Sequence, residues 1–521
     1  MGSEWSSTTI DELKADSKGS IAIGPFGSRM KSDCYVESGI PVIRGTNITG
    51  GPNFEGEFVY ITEEKADTLG SSNVYQGDLV FPHRGAIGEV GILQEEKRFV
   101  LSSSLMKLTC DMQKAHPKFL YYFFKSHLGK HELLKNASQV GTPGIGQPLT
   151  LLKSIELSLP PLPEQKAIAH ILGTLDDKIE LNRRMNATLE GMAQALFKSW
   201  FVDFDPVLDN AILAGNPIPE EFAERAKVRR KILEQNQNDE CSVRNDELNE
   251  SSTQNSSLKT HHSPQAPSRA AGNPIPDELA PRAEVRKNLS AEASTKAGFP
   301  AAFQLTEELG WIPEGWEVGC ISDLAALNPE SWTAKKHPDS VNYADLANTK
   351  DGRITETTAY EFGEAPSRAR RVLKQHDTII GTVRPGNRSF AYIHDDGLTG
   401  STGFAVLRSN DAASRSFIYL GLTRDETIEV FAHLADGAAY PAIRPEVVGN
   451  TQITIPSSAV LQLFEDQAAP LIAKVGEHQK EAETLSKLRD TLLPKIISGE
   501  LNIPANSINP SSKMRLPSIS I

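Results

Sequence analysis

Residues Pro160–Phe204 read PPLPEQKAIAHILGTLDDKIELNRRMNATLEGMAQALFKSWFVDF, and after Pro160, Pro161 and Pro163 no proline follows until Pro206. Apolar residues recur at alternating steps of four and three: Ile168, Leu172, Leu175, Ile179, then Leu189, Ala193, Leu196 and Trp200. That spacing is the seam of a coiled coil. At 1.5 Å per residue, the roughly 40 residues from Glu164 make a rod of about 60 Å. Asn182 and Asn186 interrupt the stripe. A buried Asn costs stability but penalises other registers, so the pair points to a specified partner helix. The alternative is a long surface helix whose two Asn face water.

The chain has 521 residues, 39% hydrophobic and 23% charged, which is room for three or four soluble domains. Nowhere does an apolar run reach the length of a membrane span, and the N-terminus has neither the basic head nor the apolar core of a secretory signal. Cys34, Cys110, Cys241 and Cys320 lie far apart without a CxxC pair. Both features lead to the expectation of a reducing cytoplasm and no zinc ribbon. His261-His262 sits in a polar stretch and is expected to be solvated. Net charge is −13 and no segment is basic overall. Any grip on DNA must therefore come from local Lys/Arg faces or from partner subunits.

Residues 1–157 read as one α/β globule. IPVIRGTNI (Ile40–Ile48) is a strand running into a polar turn, and VYQGDLVFPHRGAIGEVGIL (Val74–Leu93) is two β-rich runs joined by His-Arg-Gly. FVLSSSLMKL (Phe99–Leu108) is one more strand. His116–Asn136 is an amphipathic helix with Pro117 near its start. The Gly/Pro-rich turn Gly141–Pro148 leads into a strand-like segment. Residues 158–205 hold the first long helix, and residues 206–310 are a linker whose middle, 236–270, is polar and expected to be disordered. Within that linker AGNPIPEEFAERAKVRRKIL from Ala214 returns 57 residues later as AGNPIPDELAPRAEVRKNL from Ala271. This is a tandem duplication of little function, or else a second capping helix.

A larger repeat spans the chain. Trp316 opens a second globule, 311–455, as Trp5 opens the first. Leu373–Ile393 parallels the Val74–Leu93 stretch, with an Asp (Asp78, Asp377), a β-rich run, an Arg (Arg84, Arg384), a Gly-containing turn and another strand. A second long helix follows in 456–505, with a stripe of Leu471, Val475, His478, Ala482, Leu485, Arg489, Leu492 and Ile496. Residues 506–521 form a tail. The expected fold class is mixed α/β: two similar globules separated by two long antiparallel coiled-coil helices, an internal pseudo-two-fold repeat. Two readers at fixed spacing suit two DNA half-sites.

The plan resembles the DNA-specificity subunit of type I restriction–modification enzymes. So do LPPLPEQKAIAHIL, the run LNRRMNATLEGMAQALFKSWFVDFDPV, the restart LGWIPEGWEV and the closing LLPKIISGEL. The resemblance covers nearly the whole chain outside 206–300. It implies that the globules are target recognition domains, each reading one half of a split double-stranded DNA site. It also implies that the helices bind two methyltransferase subunits, with restriction/translocase subunits joining later. S-adenosylmethionine, ATP and Mg would then belong to those partners, leaving this chain non-catalytic and without a cofactor of its own. The second boundary, ITIPSSAVLQLFEDQ, departs from the pattern by losing the PPLPEQ run.

Residues that would carry catalysis are missing. There is no GxxxxGK[ST] to hold ATP phosphates, and GTPGIG reads as a turn. NPIP at Asn216 and Asn273 lacks the aromatic that would stack a flipped base. Asp78 and Asp377 read as turn formers, and His127 and His131 lack a third metal ligand. Candidate base readers are polar and basic residues in turns, since Arg pairs with guanine and Asn or Gln with adenine. In the first globule these are Arg29, Lys31, Arg44, Asn47, His83 and Arg84. In the second they are Lys335, Lys336, Arg368, Arg370, Arg371, Arg384, Asn387 and Arg388. The competing reading is a coiled-coil scaffold that pairs two protein-binding globules and never touches DNA.

Overall fold

A computed structural model describes residues 5–26, 29–138, 143–235, 298–437, 441–501 and 503. The linker centre 236–270, the second copy from Ala271 and the tail beyond 503 lie outside the described residues. The chain divides into two compact units, Met1–Arg184 with Gln479–Ile521, and Met185–His478. The boundary runs through both long helices, which span Leu162–Phe201 and Ser458–Ile497, 40 residues each.

In the first unit Ser6–Thr9 pairs antiparallel with Glu156–Leu159, closing the globule at its base. One four-stranded sheet has the order Ile21–Ile23, Leu105–Leu108, Leu79–Pro82, Gly91–Ile92. A second, five-stranded sheet holds Ile40–Ile43 parallel to Phe99–Leu101 at its centre. FVLSSSLMKL is thus two strands in two sheets rather than one. Ser102–Ser104 make the corner, with Leu105 N–H returning to the Ser102 carbonyl at 3.2 Å. The expected helix over 116–136 is also two, Pro117–Lys125 and His127–Leu134. Ser126 is extended (ψ 161°) and its hydroxyl caps the second helix by accepting from Gly129 N–H. A Cβ at Gly129 would fall 2.2 Å from the Phe123 carbonyl oxygen, so only glycine lets the second helix fold back this closely. Pro148–Ser154 is a helix where a strand was expected, because Pro148 sits at its start.

The second unit repeats this order. Glu317–Cys320 pairs with Gln452–Ile455 at the base. A four-stranded sheet runs Ala325–Leu327, Phe404–Ser409, Thr378–Gly381, Phe390–Tyr392. Ser340–Ala344 lies parallel to Leu398–Ser401 in the other sheet. Residues 206–235, inside the segment read as linker, are folded here: Asp205–Ala214 and 223–235 are helical.

The core follows the amphipathic stripes. In the first unit Ile168 and Leu172 join Leu493, Ile496 and Ile497 in one apolar cluster with Phe119–Phe124. In the second unit Ala193, Leu196, Phe197 and Trp200 join Phe464, Ala468 and Ile472. Numbers rise along one helix as they fall along the other in both units, so the segments are antiparallel within each. Leu175, Ile179 and Leu189 are half-buried in the seam, as are Leu471, Leu485 and Leu492, and Val475 is buried. Both seam asparagines are buried, Asn182 at 0% and Asn186 at 3% exposure. The water-facing alternative therefore does not hold.

Candidate DNA-reading turns and the helix seam

Two aspartates anchor the turns. The Asp78 carboxylate is buried, accepts from the Tyr75 N–H at 3.0 Å and from Lys107 Nζ at 2.8 Å, and is also bonded by the Thr109 hydroxyl. Asp377 accepts from the Lys374 N–H at 2.8 Å and from the Arg408 guanidinium at 2.9 and 2.8 Å. Each acid bonds the N–H three residues before it, which is what a turn-former does. Both are fully committed to structure.

The turn that follows each strand is built to one template. His83 O accepts from Ile145 N–H, and Gly85 N–H donates to Pro143 O, both at 2.9 Å. In the second unit Thr382 O accepts from Ile443 N–H at 2.9 Å, and Arg384 N–H donates to Pro441 O at 2.7 Å. His83 is buried, and its Nε2 lies 3.0 Å from the Ser103 carbonyl, so that nitrogen carries the proton and donates. Burial holds its pKa below the ordinary histidine value. Thr382 reaches the matching turn, donating its hydroxyl to Gly403 O at 2.8 Å. On these rigid bases Arg84 and Arg384 are exposed. Beside His83 stands Phe26, half exposed, with ring centroids 6.3 Å apart. A cleft of about 380 Å³ is lined by Phe26, His83, Arg84 and Gln147 among others. Phe26 and Gln147 were missed in the sequence because each stands alone in its loop. Only the fold brings them beside Arg84.

The remaining candidates divide by what they touch. Arg29, Lys31, Lys335, Lys336 and Asn387 are exposed, Arg29 with a 3.4 Å bond to Thr68 O. Asn47 is buried and holds its loop through Glu55 O (2.8 Å), Glu57 O (3.1 Å) and Arg44 N–H (2.9 Å). Arg44 reaches Glu57 O at 2.9 Å. Arg368 is exposed but tied to Tyr343 and Asp345 at 2.8 and 2.5 Å. Arg370 lies over Phe362 at 4.8 Å, and His337 stacks on the same ring at 3.9 Å. Arg371 bonds Ser331, and burial lowers its pKa. Arg388, left-handed at φ +61°, bridges Asp351 and Asp425 at 2.5 and 2.7 Å. Of the fourteen, Asn47 and His83 are the two whose side chains are buried.

Along the seam the polar breaks are matched. In the first unit Asp176 takes Arg489 and the Tyr122 hydroxyl, each at 2.7 Å, and Asn182 donates to Glu481 at 2.8 Å. In the second unit Asn186 donates to Val475 O at 3.1 Å and accepts from His478 Nδ1 at 2.9 Å. A cleft of about 710 Å³ in this unit is lined by Glu190, Asp351, Arg388, Tyr392 and Tyr419 among others. Burial pushes the Glu190 carboxyl up to about 7, with Arg353 pulling the other way and Asp351 adding to the rise. Among the described residues no three His, Cys, Asp or Glu group to hold a metal, and no helix is long and apolar enough to cross a membrane.

Residues 26–191 match the type I restriction modification DNA specificity domain. Over most of its length the chain is similar to type I restriction–modification specificity subunits. The HindI specificity subunit of Haemophilus influenzae is 26% identical over 425 residues, 77% of this chain and 81% of that one. The MjaIX specificity subunit of Methanocaldococcus jannaschii is 23% identical over 461 residues, 86% and 84% of the two. The type I S subunit from M. genitalium aligns over 95% of this chain and 96% of its own at 14% identity, with a TM-score of 0.49. For these specificity-subunit relatives the match spans both globules, although the domain match itself covers only the first globule and most of the first long helix.

Proposed function

We propose that this chain is the DNA-recognition subunit of a type I restriction–modification complex. Each globule reads one half of a split, asymmetric double-stranded site. The observation that carries this reading is the shared turn template that presents its exposed arginine from different positions: Arg84, one residue before Gly85, in one globule, and Arg384, at the position of Gly85, in the other. An identical scaffold with different tips is what reading two different half-sites requires, since backbone rigidity aims a side chain and its chemistry chooses the base. Catalysis then lies in partners: two adenine-methylating subunits using S-adenosylmethionine and translocating nuclease subunits using ATP and Mg. The chain acts in the cytoplasm, where that DNA is. Net acidity fits a reader whose phosphate grip is completed by partners.

The test is exchange of residues 1–157 for another such globule, followed by methylation mapping of the assembled complex. One half of the recognised sequence changes and the other half stays. Simultaneous change of both halves, or no sequence preference at all, would overturn the reading.

A further inference from the structure

The first copy of the small duplicated segment is docked on an acidic helix face in the second unit. Asp205 takes the Arg225 guanidinium at 2.7 Å through both oxygens and the Ser199 hydroxyl at 2.7 Å. One turn on, buried Asp209 takes buried Arg229 at 2.7 Å through Nε and again through Nη2. Asn216 donates to Ala301 O at 2.8 Å. Phe222 lies edge-on to Phe204 at 5.8 Å and beside Phe303 at 4.9 Å, and Ala226 is buried.

The second copy keeps this contact set. Asn216, Arg225, Ala226 and Arg229 correspond to Asn273, Arg282, Ala283 and Arg286. The apolar contacts Phe222 and Ile232 become Leu279 and Leu289. The changes of charge or shape are Glu224 to Pro281, Lys227 to Glu284, Arg230 to Lys287 and Lys231 to Asn288, and all four first-copy residues are exposed. Pro281 corresponds to Glu224, the second position of the first-copy helix, where proline is tolerated. Drift without constraint would scatter over both faces. The acids are not duplicated: residues 261–270, ahead of the second copy, contain no Asp or Glu.

We propose that the Asp205/Asp209 face is a docking site with two interchangeable occupants on one chain, residues 214–232 and residues 271–289. Exchange conserves the two bidentate Arg–carboxylate pairs and the Asn216-type bond. It differs chiefly in Phe222 against Leu279, which favours the first copy by about three-fold through its aromatic edges. The tie from Leu289 to Gly298 is nine residue steps, reaching about 30 Å extended. The matching part of the first copy, residues 223–232, is a helix of only about 15 Å, so this tether is long enough for the second copy to take the same place and the chain to double back. Each state loops out the other copy. The duplication is then a spare clamp on the entry to the second globule, independent of what that globule reads.

The test uses the full chain and thermolysin cleavage of the second unit under native conditions. Arg225→Ala with Arg229→Ala is expected to leave resistance within a few-fold of the parent, because the second copy takes the site. Arg282→Ala with Arg286→Ala is expected to be silent, and all four together to cost at least ten-fold. As a second line, deleting residues 214–270 joins Leu213 to Ala271 in register and is expected to leave a resistant chain. The first pair costing as much as all four would overturn the proposal, as would a protease-sensitive deletion chain. Rescue that disappears on dilution would do so too, since the second copy would then be acting from another molecule.

Discussion

Gly85 and Arg384 occupy the same position in the two globules. Both are left-handed, at φ +84° and +48°, and both donate their N–H to a proline carbonyl, of Pro143 and Pro441. Glycine adopts this conformation freely, whereas a residue with a Cβ pays roughly 1 kcal/mol for it. The second globule keeps an arginine there although glycine would relieve the strain, and such strain collects at functional turns.

Arg384→Gly is therefore expected to raise the stability of the second unit by up to about 1 kcal/mol while weakening retardation of DNA bearing the cognate second half-site. Gly85→Ala should destabilise the first unit by about as much. Denaturant midpoints and gel retardation measure the two effects separately. Loss of stability in Arg384→Gly would show that the side chain holds the turn together.

Asp377 and Asp78 give the next expectation. Asp377 is fully buried and forked by Arg408. Replacing it by Asn leaves the half-buried Arg408 guanidinium, still paired with Glu330, short of one counter-charge, at a cost of about 1.5–3 kcal/mol. Asp78→Asn should act similarly through Lys107. Thermal unfolding followed by circular dichroism reads this directly, and a variant that folds normally would contradict the structural role of these acids.

The Asn186–His478 pair should show strong coupling. Asn186→Leu alone strands the His478 donor in the seam and costs about 1–3 kcal/mol. Replacing both by leucine should recover most of that loss. A double-mutant cycle in urea supplies the coupling energy, and simple additivity would mean that the two side chains act independently.

Glu190 predicts a pH dependence. Its folded value, about 7, lies above the ordinary 4.5, so the folded state holds a proton that the unfolded chain releases. Stability is then fully present below about 4.5 and falls as pH rises towards 7, by about 3 kcal/mol in all. Glu190→Gln should leave stability unchanged at pH 5 and raise it at pH 8. Equal melting shifts at both pH values would mean that Glu190 titrates normally.

Several features were legible before any coordinates. The four-three stripe disclosed both long helices, Leu162–Phe201 and Ser458–Ile497, because such a signal is repeated over about ten turns and noise averages out. The halves were recognisable as repeats because Asp78 and Asp377, each ahead of a β-rich run and a turn, mark the same local grammar.

Other features were decided only by tertiary structure. Sequence could not separate buried Asn47 and His83 from exposed Arg84, since all three sit in polar turns. The breaks at Ser102–Ser104 and Ser126 came from sheets and helices competing for the same core, which no local propensity reports. The partners of Asp78 and Asp377 lie about 30 residues away on the neighbouring strand, and those of Asp176 and Asn186 about 300 residues away on the other helix. Periodicity in this chain determined which faces are apolar. Which polar group meets which was left to the packing of distant segments, because a buried hydrogen bond or ion pair depends on fractions of an ångström that only the assembled core supplies.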